Sequence, residues 1–450
     1  MTGATTHEPL IAVGILEAPR LLLSLEGSFV IADNGRSISG AAQVRLEGDG
    51  LALETESGIV VTAREVTVTP GDPGAASFLL RGVVIGKEFH WERAEDQRFR
   101  GGLRLTRNGP SLSAVNVVGV ENYLTSVISS EMSSGGALEF LKAHAVTSRS
   151  WLLAQLEQSN ALKAGSRVRP ASIDQGPGRL VRWYDREDHD RFDVCADDHC
   201  QRYQGITRPP NAGVTLAVSE TRGLVLMSGG EVCDARFSKC CGGVSELFEN
   251  VWEPDPHSYL GAVRDAENGP APDLTSEAAS AGWIRSSPPS FCNVSDPALI
   301  GRILPQVDRE TADFYRWTVS YTQEELAALI SGKSGVDFGA IKSLQPAKRG
   351  TSGRLVELRI VGTGAMMTVG KELEIRRLLS RSHLYSSAFV VDTQDERNGV
   401  PGHFVLTGSG WGHGVGLCQI GAGVMGERGF TFGQILEHYY PGTQQCRLYA

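Results

Sequence analysis

Two ionisable residues in the stretch ENYLTSVISSEMSSGGALEFLKAHAVTSRSW, Glu121 to Trp151, fall where a helix should be apolar. Val120, Tyr123, Leu124, Val127 and Ile128 recur with the period of an amphipathic helix. At about 100° per residue, Glu131 lies roughly 20° from Val120 and continues that stripe. In a second helix Leu138, Leu141, Ala145 and Leu152 form the apolar face, and Arg149 falls within it. A carboxylate turned inward is desolvated, which favours its protonated form and suits it to act as a general acid. The same placement suits a buried ion pair between Glu131 and Arg149. The two readings are compatible, because a guanidinium beside an acid can orient it or bind substrate.

DHDRFDVCADDHCQRYQG brings His189, Cys195, His199 and Cys200 within twelve residues. Two thiolates and two imidazoles match the tetrahedral donor set of zinc, and four protein ligands would make a closed, structural site. A disulfide between Cys195 and Cys200, or free thiols, are the alternatives. FSKCCGG sets Ser238 and Lys239 beside Cys240, a conceivable nucleophile for which no base is evident in sequence. GSGWGHGVGLCQIGAG, Gly408 to Gly423, alternates glycines around His413 and includes Gln419. Such a run lets the backbone approach a ligand closely, or makes a tight corner between a strand and a helix. It lacks the Lys-Ser/Thr ending of a phosphate loop.

The elements that must position these residues are mixed. Residues 9 to about 110 carry short apolar runs broken by Gly, Asp and Pro, as in GIVVTAREVTVTPGDPGAASFLLRGVVIG, and predict a β-rich domain. Lys87, Glu88, His90 and Glu92 read as a solvated strand edge. Residues 111–255 hold the two helices and the Cys/His segment, and 256–315 an irregular excursion. Residues 316–450 complete an α+β region. There FYRWTVSYTQEELAALISGKSG predicts a strand and a helix capped near Thr322. RLVELRIVG, AMMTVG and HFVLTG predict further strands.

The chain has 450 residues, 41% of them hydrophobic, enough for a substantial core. A formal charge of -9 with no Lys/Arg block argues against nucleic acid and anionic membranes as partners. No apolar run reaches the roughly 20 residues of a transmembrane segment. The start lacks a basic n-region and an h-region. The chain is therefore either cytoplasmic or exported by a signal not present in this sequence. Eight cysteines are too few for a disulfide scaffold of this length.

Three ordered blocks resemble the SpoIID/LytB family, the stage II sporulation protein D and amidase-enhancer group. They are VGVENYLTSVISSEMSSGGALEFLKAHAVTSRSW, FSKCCGGVSELFENVW and GWGHGVGLCQIGAGVMGERGFTFGQILEHYYPGT. DVCADDHCQRYQG also resembles a family variant that carries a zinc site. The similarity spans about Ser111 to Thr443. Phe237, Ser238, Lys239 and Cys240 depart from the residues common before CGG, Cys418 stands where serine is frequent, and the excursion exceeds that of compact members.

The resemblance implies an α+β catalytic region after the β-rich domain, and peptidoglycan chemistry in the cell envelope. Active members are lytic transglycosylases on glycan strands stripped of stem peptides, and others enhance a cell-wall amidase. It makes Glu131 the catalytic acid and Arg149 the basic residue closing the second helix. Arg149, Ser238, Lys239, His413 and Gln419 are candidates to bind or orient substrate. A hydrolase would need a second carboxylate, for which Glu246 and Glu253 are available. A wall-binding module that activates an amidase and a zinc hydrolase are the rival classes.

Overall fold

The computed structural model describes residues 7–86, 92–133, 135–168, 171–183, 189–197, 199–208, 212–305 and 313–450. Lys87, Glu88 and His90 lie outside the described residues, whereas Glu92 is exposed, as a solvated edge requires. The chain forms two compact units interleaved in sequence, where the sequence reading divides it consecutively. The first takes 1–134, 186–224 and 447–450; the second takes 135–185 and 225–446.

Among the described residues the sheet of the first unit has eleven strands, the first ten in chain order being β1 (Leu10–Ala18), β2 (Arg20–Ile31), β3 (Ser37–Glu47), β4 (Gly50–Thr55), β5 (Gly58–Ala63), β6 (Glu65–Pro70), β7 (Ser77–Ile85), β8 (Arg93–Phe99), β9 (Gly102–Asn108) and β10 (Ser111–Gly119). These ten run antiparallel in the order β1-β10-β9-β6-β2-β3-β4-β5. β2 also pairs with β7, which pairs with β8. β2 changes partner along its length, Leu23–Glu26 pairing with β7 and Phe29–Ile31 with β6, across a break in its register with β3. Alternation drives this sheet: Leu21, Leu23 and Leu25 are buried while Arg20, Leu22 and Glu26 are exposed.

β10 runs directly into helix α1 (Val120–Glu131). Its start lacks a side-chain cap of its own, and the Glu8 carboxylate accepts the Glu121 N–H at 2.9 Å instead. A chain of rings carries the sheet core to the helix. Phe78 stacks on Phe99 with centroids 5.4 Å apart, Phe99 meets Tyr203 at 5.8 Å, and Tyr203 stacks on Tyr123 of α1 at 5.0 Å.

In the second unit, helix α2 (Leu138–Lys163) is buried almost all round from Phe140 to Gln155. This corrects the expectation of a single apolar face. Helices Gln419–Glu427 and Phe432–Tyr439 pack on it. The Glu139 carboxylate accepts the Phe432 N–H at 2.8 Å and so caps the second of them. A five-stranded sheet holds Leu355–Gly362 and Met366–Gly370, and a three-stranded one holds Arg316–Thr322 and His403–Ser409. These are the strands expected from the sequence. Thr322 caps helix Gln323–Ser334 in a capping box with Glu325. Among its described residues the excursion is irregular apart from helices Glu277–Ser286 and Pro297–Ile303. The fold is thus α+β, mixed, with a large β-rich sheet toward the N-terminus.

Candidate functional site

Glu131 closes α1 and is buried, only 7% exposed. Its Oε1 accepts the Arg202 N–H at 3.2 Å, and its second oxygen has no hydrogen-bond partner among the described residues. Earlier on the same helix, Ser126 Oγ accepts the Gln204 N–H at 3.1 Å. Residues 202–204 are therefore tied to α1 at two points. Tyr203 between them stacks on Tyr123 and donates its hydroxyl to Asn116 Oδ1 at 2.6 Å. Burial, then the nearby Cys200 and Cys195 thiolates, push the Tyr123 hydroxyl well above its ordinary range.

Those thiolates belong to the Cys/His segment, which the first unit also holds. Val194 and Cys195 add a short parallel strand to β1, and the Phe192 ring lies over Gly14, where a Cβ would meet it at 2.5 Å. Ala12 and Asp193 exchange bonds, N–H to Oδ2 at 2.8 Å and N–H to O at 2.9 Å. This seat gathers His189, Cys195, His199 and Cys200 with one donor atom each, all within 4.8 Å of one another. Cys200 Sγ is 3.4 Å from His189 Nε2 and 3.6 Å from His199 Nδ1, and Cys195 Sγ is 3.8 Å from that same Nδ1.

A tetrahedral zinc with the usual bond lengths has a sulfur–nitrogen edge of about 3.6 Å. Both cysteines are free thiols. A hydrogen bond from Cys200, aided by both imidazoles, draws Cys195 far below the ordinary thiol range. The donor set and its spacing thus fit a metal ion.

The second unit brings several other candidates together. Phe237–Ser238 pairs in parallel with Leu417–Cys418, and Ile420 N–H bonds Lys239 O at 3.2 Å. Gln419 donates its amide to His144 Nε2 of α2 at 3.1 Å, which leaves His144 Nδ1 to donate to Ser148 at 3.3 Å. Ser238 is buried, and its hydroxyl has no partner among the described residues. Arg149 is fully buried on α2, and Gln419 is 2% exposed. Lys239 and His413 are half-buried. His413 accepts the Val415 N–H on Nδ1 at 3.0 Å, which places the ring proton on Nε2, and the ring packs edgewise on Trp252.

The glycine-rich run is a tight corner around an arginine that the sequence did not single out. Arg354, 1% exposed, donates to Gly412 O at 3.2 Å, Cys241 O at 3.0 Å and Ser352 Oγ at 3.1 Å. Gly414 has φ +77, and a Cβ there would lie 2.3 Å from the Arg354 guanidinium carbon. Glu246, proposed above as a second acid, is fully buried and accepts from Leu247, Asn250, Thr351 and Ser352 through six hydrogen bonds. A carboxylate so saturated holds its surroundings in place and is unsuited to proton transfer. Burial pushes the Cys240 thiol well above its ordinary range, which removes it as a nucleophile. The sequence reading also passed over Tyr203 and the Arg202 N–H, whose roles depend on contacts with α1 some seventy to eighty positions away.

The family model described as stage II sporulation protein matches residues 108–227, and a domain of unknown function (DUF8618) matches 246–416. Stage II sporulation protein D of Bacillus subtilis is 24% identical over 333 residues, covering 74% of this chain and 75% of its own. The amidase enhancer of the same organism is 23% identical over 52% of this chain but only 32% of its own length. An uncharacterized protein of Brachyspira hyodysenteriae is 25% identical over 77% of this chain and 71% of its own. The first match brackets α1, Glu131 and the whole Cys/His segment, and with the relatives it supports the likeness of this chain to the SpoIID/LytB family.

Proposed function

We propose that the protein is a peptidoglycan lytic transglycosylase of the cell envelope, cleaving bonds between N-acetylmuramic acid and N-acetylglucosamine in glycan strands stripped of stem peptides. The observation that carries this reading is Glu131: a buried carboxylate with one oxygen held by a backbone N–H and the other unengaged among the described residues. Such a group can deliver a proton to the glycosidic oxygen as the bond breaks through an oxocarbenium-like transition state. It then takes the proton of the muramic 6-hydroxyl, and ring closure gives a 1,6-anhydro end. This route requires one carboxylate, and the saturation of Glu246 counts against a two-carboxylate hydrolase that relies on it.

Zinc held by His189, Cys195, His199 and Cys200 would fill a closed site and act structurally. It would fix the chain immediately before Arg202, whose N–H orients Glu131. In the second unit, Lys239 and His413 retain exposed surface and are proposed to contact the glycan. Arg149, Ser238 and Gln419, being buried, are proposed to position that surface. The relative named amidase enhancer supports a second reading, a non-catalytic wall protein that acts through a cell-wall amidase. No helix among the described residues is long and apolar enough to cross a membrane. Mass spectrometry of denuded glycan strands incubated with the protein separates these readings. Anhydro-muramic ends are expected; reducing ends would indicate a hydrolase, and unchanged strands the enhancer.

A further inference from the structure

The second unit contains another cluster of metal-binding side chains, all fully buried. Cys241, Asp265, Cys292 and Cys418 place one donor atom each within 4.8 Å of one another. Cys241 and Cys292 have their sulfurs 3.7 Å apart. A disulfide bond is about 2.05 Å long, whereas two thiolates on a tetrahedral zinc are separated by an edge of about 3.8 Å. The observed distance is too long for a disulfide and matches the metal edge, as it does a thiol–thiol hydrogen bond.

Two of the three sulfurs accept backbone N–H groups, as metal-bound sulfurs commonly do. Cys241 N–H donates to Cys418 Sγ at 3.2 Å, and Gly243 N–H donates to Cys241 Sγ at 3.3 Å. The second bond is possible because Gly242 and Gly243 adopt φ +80 and +104, which fold the backbone back over the sulfur. Asp265 is oriented as a ligand is, Oδ1 accepting the Tyr439 hydroxyl at 2.6 Å and Oδ2 the Cys292 N–H at 2.7 Å. Each oxygen keeps a lone pair.

We propose that Cys241, Asp265, Cys292 and Cys418 form a second closed metal site, independent of the Cys/His cluster, for a zinc-class divalent cation. Soft, thiolate-rich donors select such an ion over magnesium or calcium. The site joins three distant stretches: the turn after Ser238 and Lys239, the irregular excursion, and the start of the helix that carries Gln419. Its work is to clamp the excursion and the glycine-rich corner together. Cys240, equally buried, approaches Cys292 and Cys418 as well, so disulfides are the competing chemistry.

The test is metal content by elemental analysis, with cobalt substitution as an optical probe. Wild type should hold about two zinc ions per chain, and Cys195→Ser/Cys200→Ser and Cys292→Ser/Cys418→Ser about one each. Cobalt-loaded Cys195→Ser/Cys200→Ser should show thiolate-to-cobalt charge transfer in the near ultraviolet and the intense visible bands of a tetrahedral ion. That spectrum decides the matter even if Cys292→Ser/Cys418→Ser fails to fold. A wild type with one metal that is lost in Cys195→Ser/Cys200→Ser would overturn the proposal. So would a missing charge-transfer band, or native peptide mapping that finds a disulfide among Cys240, Cys241, Cys292 and Cys418. Glycan activity enters none of these readouts, so the site stands or falls separately from the proposed reaction.

Discussion

Replacing Glu131 with glutamine separates chemistry from stability in one protein. The side-chain carbonyl of glutamine can still accept the Arg202 N–H now held at 3.2 Å, so one bond to a charged acceptor becomes a bond to a neutral one. Such bonds contribute roughly 1.5–3 and 0.5–1.5 kcal/mol respectively, so the change costs about 1 kcal/mol, offset by the easier burial of a neutral amide. For a unit of this size that is a melting shift of about 2–4 °C or less. Turnover should instead fall by about 10² to 10⁴, a barrier increase of roughly 3–5 kcal/mol, because the amide has no proton to transfer. If the carboxylate served only to neutralise a buried cation, its loss would cost about 3–5 kcal/mol of stability. Thermal melting and mass-resolved release of anhydro-muramic products on denuded strands read the two quantities independently. A Glu131→Gln protein that melts normally and still releases wild-type amounts of anhydro product would refute the assignment.

Removing the Cys/His ligands should act on Glu131 at a distance. Cys195→Ser/Cys200→Ser should lose one zinc, melt earlier and lose about 10- to 100-fold in activity as the Arg202 N–H loses its fixed position, measurable by elemental analysis alongside product release. Gly414→Ala should destabilise by more than about 3 kcal/mol, since the left-handed backbone alone costs about 1–2 and the Arg354 guanidinium cannot retreat from three anchored bonds. Gly399→Ala, at φ +74 with open space around it, should cost only the backbone share, and urea denaturation of the pair isolates the clash. His383 is held down to about 4 by burial and then by the charges of Arg376, Lys333 and Arg377. A base with a depressed native value binds fewer protons folded than unfolded, so its contribution is whole above about 6.5 and lost as pH falls toward 4. His383→Gln should therefore flatten the decline in unfolding free energy across that window, and an unchanged slope would rule His383 out as its source.

What the sequence made legible was local. The alternation in β2, the capping box of Thr322 with Glu325, and the inward Glu131 each depend on neighbours within a turn or two, and each is present. The Cys/His set was legible because its members lie close together in sequence, and the fold needed only to close them. What stayed hidden is assembled from afar. Glu246 reads as an available second acid until Thr351 and Ser352 arrive to saturate it, and Cys292 looks like a stray thiol in an irregular stretch until Cys241 and Cys418 surround it.

The glycine run shows why such hidden partners matter for function. Alternating glycines announce either a ligand close to the backbone or a tight corner between a strand and a helix, and the structure shows the corner. The partner is Arg354, a permanent cation whose donors engage the Gly412 carbonyl of the corner and the Cys241 carbonyl of the stretch beside it. The corner's rigidity therefore comes from within the chain. His413, one residue past Gly412, is presented on a preformed support with its Nε2 proton already assigned by the Val415 N–H at Nδ1. If His413 contacts the glycan as proposed, much of the ordering cost of its ring is met on folding, and a contact built in this way costs little entropy to use.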